Sequence, residues 1–136
     1  MEYYMALDVG TKRIGVAVAH VVARLPRPLT TLTASDQSIA EVAELVLQEK
    51  VCELVVGLPQ SMDGGASEQT RYSQDFAERL RAAVSVPVHL VNEALTSVQA
   101  ETELRGKAHT KADIDALAAC YILERFLEQH QEPVRP

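Results

Sequence analysis

A chain of 136 residues has the size of one compact domain and is long enough to bury a real core. Its 47% hydrophobic and 24% charged residues are ordinary globular values, and no apolar run is long enough to span a bilayer as a helix. The net charge of −6 argues mildly against a nucleic-acid partner, but its distribution argues back, since Lys12, Arg13, Arg24, Arg27, Arg105, Lys107 and Lys111 all fall in predicted loops or turns.

The chain opens with two β-like runs, Tyr3–Asp8 and Ile14–Ala19, joined by the turn Val9-Gly10-Thr11-Lys12-Arg13. So short a spacer predicts an antiparallel hairpin. Gly10 is expected to give the turn a positive φ, and Gly15 to let another backbone or a ligand come close. After a Pro-containing loop, a short third strand is expected near Leu29–Leu32. Ser38-Ile39-Ala40-Glu41 has the form of a capping box, and Ile39, Val42, Ala43, Val46 and Leu47 then mark one helical face.

Val51–Val56 reads as a buried strand ending at Gly57, followed by the loop Leu58–Gly65. A second helix is predicted from about Ser67 to Val84, with Tyr72, Phe76, Leu80 and Ala83 on one face. Pro87–Val91 is the next buried strand. Thr96-Ser97-Val98-Gln99 should cap a short helix that stops near Arg105-Gly106. Thr110-Lys111-Ala112-Asp113 should cap the last helix, and residues 131–136 form an expected frayed tail. Antiparallel strands first and helix–strand alternation afterwards predict an α/β fold: one domain over 1–136 with a mixed sheet and helices on both faces.

With Trp absent and only two Phe, the core must be built from Val, Leu, Ala and Ile. Cys52 and Cys120 each sit in an apolar segment, so buried reduced thiols and a cytoplasmic protein are expected; Met1-Glu2-Tyr3-Tyr4-Met5 also lacks the basic start of a signal peptide. His20, His89, His109 and His130 have no zinc spacing. Ser61 lacks the setting of a nucleophile elbow.

Three acids stand out by position. Asp8 ends the first apolar run, Glu93 follows the run Val86–Val91, and Asp115 lies near the start of the last helix. Carboxylates at the ends of buried elements are costly unless something neutralises them, and magnesium can do so. A magnesium pair can also run phosphodiester chemistry. Each acid has a plainer explanation as well. Asp8 could accept turn amide hydrogens, with Lys12 and Arg13 nearby; Glu93 alone reads as a loop acid; Asp115 could complement the helix dipole. Asp115 shares a face with Ala118, Ala119 and Ile122, whereas Asp113 does not, so Asp115 is the better ligand candidate. A phosphate-binding hairpin of the actin-like ATPase kind would need a second phosphate motif and a longer chain.

The segments Asp8-Val9-Gly10-Thr11-Lys12-Arg13-Ile14-Gly15, Val55-Val56-Gly57-Leu58-Pro59 with Met62-Asp63-Gly64, Glu93 with Leu95-Thr96-Ser97, and Asp115 with Ala118-Ala119 and Ile122-Leu123 resemble the YqgF family. These are bacterial RNase H-like proteins described as pre-16S rRNA nucleases or Holliday-junction resolvases, and the resemblance covers nearly the whole chain. It implies an RNase H-like sheet of five strands and catalytic, metal-holding roles for Asp8, Glu93 and Asp115. The expected cofactor is Mg2+, with Mn2+ as a substitute, and Asp8 would bridge two ions about 4 Å apart. Lys12, Arg13, Lys107 and Lys111, with Thr96 of the second-acid motif, are the candidates for substrate contacts.

The expected partner is therefore nucleic acid: a ribosomal RNA precursor processed at its 5′ end, or branched DNA cut by a dimeric resolvase. The protein itself would be a monomer or a homodimer with no membrane association. Two departures from the family pattern stand beside the second acid: Asn92 replaces an Asp and Ala94 an Arg, removing a guanidinium suited to phosphate. Gln60-Ser61 also departs, where the family tends to have an apolar residue and Asn. A weakly active or inactive RNA-binding factor is the remaining alternative.

Overall fold

The computed structural model describes residues 2–59, 68–93, 102, 105 and 110–130. Five strands form one sheet: β1 (Tyr3–Val9), β2 (Arg13–His20), β3 (Arg27–Thr33), β4 (Val51–Pro59) and β5 (Val88–Glu93). Their order is β3-β2-β1-β4-β5. β2 runs antiparallel to β1 and β3, while β4 lies parallel to both β1 and β5. Three described helices, α1 (Ser38–Gln48), α2 (Glu68–Ala83) and α3 (Lys111–Gln129), cover it. The mixed α/β sheet with helices on both faces is thus the predicted one, and the first two strands do form a hairpin.

Side-chain alternation along β1 sets the two layers. Met5, Leu7 and Val9 join Ile14, Val16 and Val18 of β2 in the core under α1 and α2. Tyr4 and Ala6 join Ala17, Ala19, Val55 and Val91 under α3. This second face is lined by small residues, so α3 sits close to the sheet. At Gly57 an added Cβ would stand 2.4 Å from Cδ1 of Ile122.

Several local expectations are corrected. Ser38 does not act as the cap of α1: Gln37 holds that position without a side-chain cap bond, and the Ser38 hydroxyl accepts from the Ser35 N–H at 2.8 Å. Ser38 is already the first helical residue and is buried, so its oxygen serves the preceding turn. The outer end of the apolar stripe also fails, because Leu47 is 76% exposed beside buried Val42 and Val46. In α2, Ser73, Phe76, Ala77 and Leu80 make the buried face, and Tyr72 and Ala83 turn outward. The third and fourth strands run longer than expected: β2 pairs with β3 at the sheet edge from Arg27 to Thr33, and β4 is extended to Pro59 by its pairing with β5.

The capping box of α3 is present in full. Thr110 Oγ1 accepts from the Asp113 N–H at 3.2 Å, and an Asp113 carboxylate oxygen accepts from the Thr110 N–H at 2.9 Å. Cys52 and Cys120 are free thiols, Cys120 buried and Cys52 half-buried. No described helix is long and apolar enough to cross a membrane. The cap expected at Thr96-Ser97 and the tail 131–136 lie outside the described residues.

Candidate active site

β1, β4 and β5 are parallel, so their carboxyl ends open on the same edge of the sheet. Sites in such sheets form beyond those ends. Asp8, next to last in β1, continues the alternation of Tyr4 and Ala6 and belongs to the α3 face. Its cross-strand partner on β2 is Gly15. An added Cβ at Gly15 would lie 1.9 Å from the carbonyl oxygen of Asp115 and 2.3 Å from its carbonyl carbon. The missing side chain is what lets the backbone of α3 rest directly on β2. That contact brings Asp115 beside Asp8, although 107 positions separate them in the chain.

The pair is electrostatically strained. Burial first, and the neighbouring Asp115 carboxylate second, push the pKa of Asp8 up to about 6. No described residue donates a hydrogen bond that offsets either effect. The plainer alternative, in which Asp8 accepts turn amides, has no support among the described residues; the Gly10 N–H donates to Arg13 O at 2.9 Å instead. Gly10 itself is needed for space and not for a positive φ, since a Cβ there would lie 2.7 Å from that same Arg13 oxygen.

Arg13 turns to a different acid from the one adjacent in the hairpin. Its Nε–H donates to Oδ2 of Asp115 at 2.6 Å, with the side chains 35% and 19% exposed. Alternation explains the direction: Arg13 lies two residues from Gly15, on the same face, and rises towards α3. Sequence reading missed this pair because its partners are 102 positions apart.

Glu93 is the last residue of β5 and pairs in register with Pro59. The pair Gly57↔Val91 lies two residues earlier, and Leu7↔Val56 leads one step on to Asp8. Glu93 thus takes a register position at the same sheet end and on the alternation of Val91. Its side chain lies outside what is described. Among the described residues, no group of three His, Cys, Asp or Glu side chains is arranged to hold a metal ion. Lys12 and Lys111 are exposed near the site, in the β1–β2 turn and at the start of α3. Thr96, Lys107 and Ala94 lie outside the described residues, and Asn92 is exposed on β5.

Three further side chains tie the rim together. Thr31 Oγ1 donates to Ala112 O at 2.7 Å, fastening α3 to β3. Gln69 Nε2 donates to Val9 O at 2.8 Å, and Thr70 Oγ1 to Pro59 O at 2.6 Å, fastening α2 to the ends of β1 and β4. Nothing in their sequence surroundings marks these residues, because each contact depends on strand order.

The fold places Asp113 and Asp115 in different settings, which makes them separable by mutation. Asp113→Ala should cost about 1 kcal/mol through the lost cap and leave cleavage intact. Asp115→Asn should abolish cleavage. Its melting temperature should change little, because relief of Asp8 is offset by unpairing Arg13. Thermal melts run beside a cleavage assay check both. Loss of cleavage in Asp113→Ala with activity in Asp115→Asn would reverse the assignment.

Residues 2–129 match the RuvX family, described as Holliday junction resolvase. The chain belongs to this family. RuvX is the YqgF family that the motifs resemble, a family of nucleases. A Chloroflexus aurantiacus protein named "Putative pre-16S rRNA nuclease" is 44% identical over 133 residues, covering 93% of this chain and 87% of its own. A Synechococcus elongatus protein with the same name is 39% identical over 143 residues, covering 99% of this chain and 96% of its own. Thermus thermophilus RuvC, solved in complex with a Holliday junction substrate, superposes with a TM-score of 0.55 at 19% identity over 91% of this chain and 92% of that one. That likeness establishes the RNase H-like fold of this RuvX chain.

Proposed function

We propose that this RuvX chain is a cytoplasmic, magnesium-dependent endonuclease that cleaves phosphodiester bonds in structured nucleic acid, with the 5′-end processing of precursor 16S rRNA as its reaction. The observation that supports this reading is the meeting of Asp8 and Asp115 over Gly15, at the open end of three parallel strands. The relatives named as pre-16S rRNA nucleases supply the substrate class.

The acids fit a divalent cation. Two carboxylates are held close, and one of them, Asp8, is half-buried without a compensating donor among the described residues. Oxygen donors of this kind suit Mg2+ and also accept Mn2+. Asp8, Asp115 and Glu93 would hold the metal, which supplies a lowered pKa for the attacking water and charge stabilisation for the leaving oxygen. Asp8, on the central strand of the sheet and beside Asp115, would be a ligand of that metal. Arg13, Lys12 and Lys111, with Lys107 and Thr96 of the intervening segment, would take backbone phosphates and fix the register of the substrate. The α3 face half-buries Asp8, and reduced contact with water strengthens the charge interactions there.

The family description favours a second reading, resolution of Holliday junctions. That reaction cuts two strands symmetrically and so requires a dimer. One assay separates the two: a precursor 16S rRNA 5′ fragment and a four-way DNA junction, each offered with Mg2+ and with chelator. Mg2+-dependent cleavage of the RNA, lost in Asp8→Asn, is the expected result. Cleavage of the junction alone by a dimeric protein establishes the resolvase. A folded protein that binds the RNA and cuts neither would be an RNA-binding factor.

A further inference from the structure

We infer that Arg13 is an internal counter-ion for Asp115 in the metal-free protein, and that a divalent cation at the carboxylates releases its guanidinium to a phosphate of the nucleic acid. The inference rests on the nuclease reading above and adds to it a coupling between cation binding and substrate grip.

The geometry gives Arg13 a place that no other described cation shares. It stands at the start of β2, on the α3 face, and reaches Asp115 through Nε alone at 2.6 Å. Its two Nη groups meet no acceptor among the described residues, and the side chain is 35% exposed. One edge of the guanidinium therefore neutralises Asp115, while the fork suited to phosphate faces outward. Lys12 and Lys111 are exposed, and among the described residues neither is paired with an acid of the site.

Asp115 cannot serve both partners equally. A guanidinium 2.6 Å from its carboxylate repels a divalent cation bound to that carboxylate. Cation binding then weakens the ion pair and leaves a mobile, half-exposed guanidinium beside the site. A substrate phosphate is the natural acceptor, because it also joins the shell of a weakly held magnesium ion. Thermodynamic reciprocity follows: the cation tightens nucleic-acid binding, and nucleic acid tightens cation binding by the same factor.

The first test needs only the wild-type protein. The Nε–H resonance of Arg13, assigned by its disappearance in Arg13→Lys, is followed by 1H–15N NMR during a Mg2+ titration without nucleic acid. It should move as Mg2+ binds, towards the position it takes in metal-free Asp115→Asn. A resonance that stays fixed while others report saturation overturns the exchange. The second test counts free Mn2+ by electron paramagnetic resonance. Arg13→Gln should bind Mn2+ roughly tenfold more tightly than wild type, within the usual range of coupling between sites. The same variant should lose the gain in affinity for a precursor 16S rRNA fragment that Ca2+ confers on wild type. Equal or weaker Mn2+ binding by Arg13→Gln overturns the inference. Mn2+ binding unchanged by Asp8→Asn would instead refute the carboxylate site, a failure distinct from that of Arg13.

Discussion

Asp8→Asn is expected to abolish cleavage and, in chelator above pH 6, to melt at a higher temperature than the wild type. The two outcomes have one cause. Burial and the nearby Asp115 raise the pKa of Asp8 from 3.8 to about 6, so the folded protein resists its ionisation. Full ionisation then costs the fold up to about 3 kcal/mol. The sign follows from proton linkage. A carboxylate whose folded pKa is raised holds its proton more tightly in the native state than in the unfolded one. Metal-free stability should therefore fall as pH rises from about 4 through about 6, then level off. Asparagine has nothing to ionise, and that slope should vanish. Allowing for the cost of burying an amide, a gain of about 1–2 kcal/mol at pH 8 is expected. Mg2+ should stabilise the wild type and not the variant. If Asp8 holds the metal as proposed, its loss should exceed the roughly 10–100-fold effect typical of outer-shell partners. Thermal melts at pH 4, 6 and 8, with chelator and with Mg2+, decide the point. A lower melting temperature for Asp8→Asn throughout would mark the carboxylate as a structural acceptor.

Gly15→Ala should be among the most damaging single-methyl changes in this fold. The new Cβ would be placed 1.9 Å from a backbone oxygen of Asp115, and backbone in a helix has nowhere to yield without moving α3. Overpacking of this kind costs about 1–3 kcal/mol and occasionally more, and the upper end is expected here. Cleavage should fall too, since the displaced helix carries Asp115 away from Asp8 and Arg13. Gly57→Ala provides the comparison. Its Cβ would also be too close to a neighbour, 2.4 Å away, but that neighbour is the tip of the Ile122 side chain, which can change rotamer. Gly57→Ala should therefore cost less stability and keep most of its activity. Equal melting temperatures for the two variants would show that α3 is free to shift, and the argument that Gly15 fixes the site would fail.

The sequence by itself determined the elements whose signal is local. The apolar runs Tyr3–Asp8 and Ile14–Ala19, joined by the short turn Val9–Arg13, leave an antiparallel hairpin as the natural pairing. The box Thr110–Asp113 reports a helix start because its hydrogen bonds close within four residues. Asp8 and Asp115 were readable as candidates because a carboxylate on an apolar face needs a partner. Local signals also misled. Ser38-Ile39-Ala40-Glu41 has the letters of a cap, but the helix starts at Ser38 itself and the serine oxygen serves the turn before it. Leu47 and Tyr72 follow the helical period yet face water, since the period does not say how wide a stripe the sheet can cover.

The tertiary structure decided what depends on strand order and crossover. The order β3-β2-β1-β4-β5 places Asp8 on the central strand and lays α3 across β1 and β2. Only then do Asp8 and Asp115 become neighbours, and only then does Gly15 become the floor beneath a helix and not merely a residue of a hairpin. The partner of Arg13 was undecidable in one dimension. Asp8 is five positions away and Asp115 is 102, but the side chain rises from the sheet towards the helix packed on that face. Chain separation governs the entropy of bringing groups together, whereas packing governs which groups touch once that cost is met.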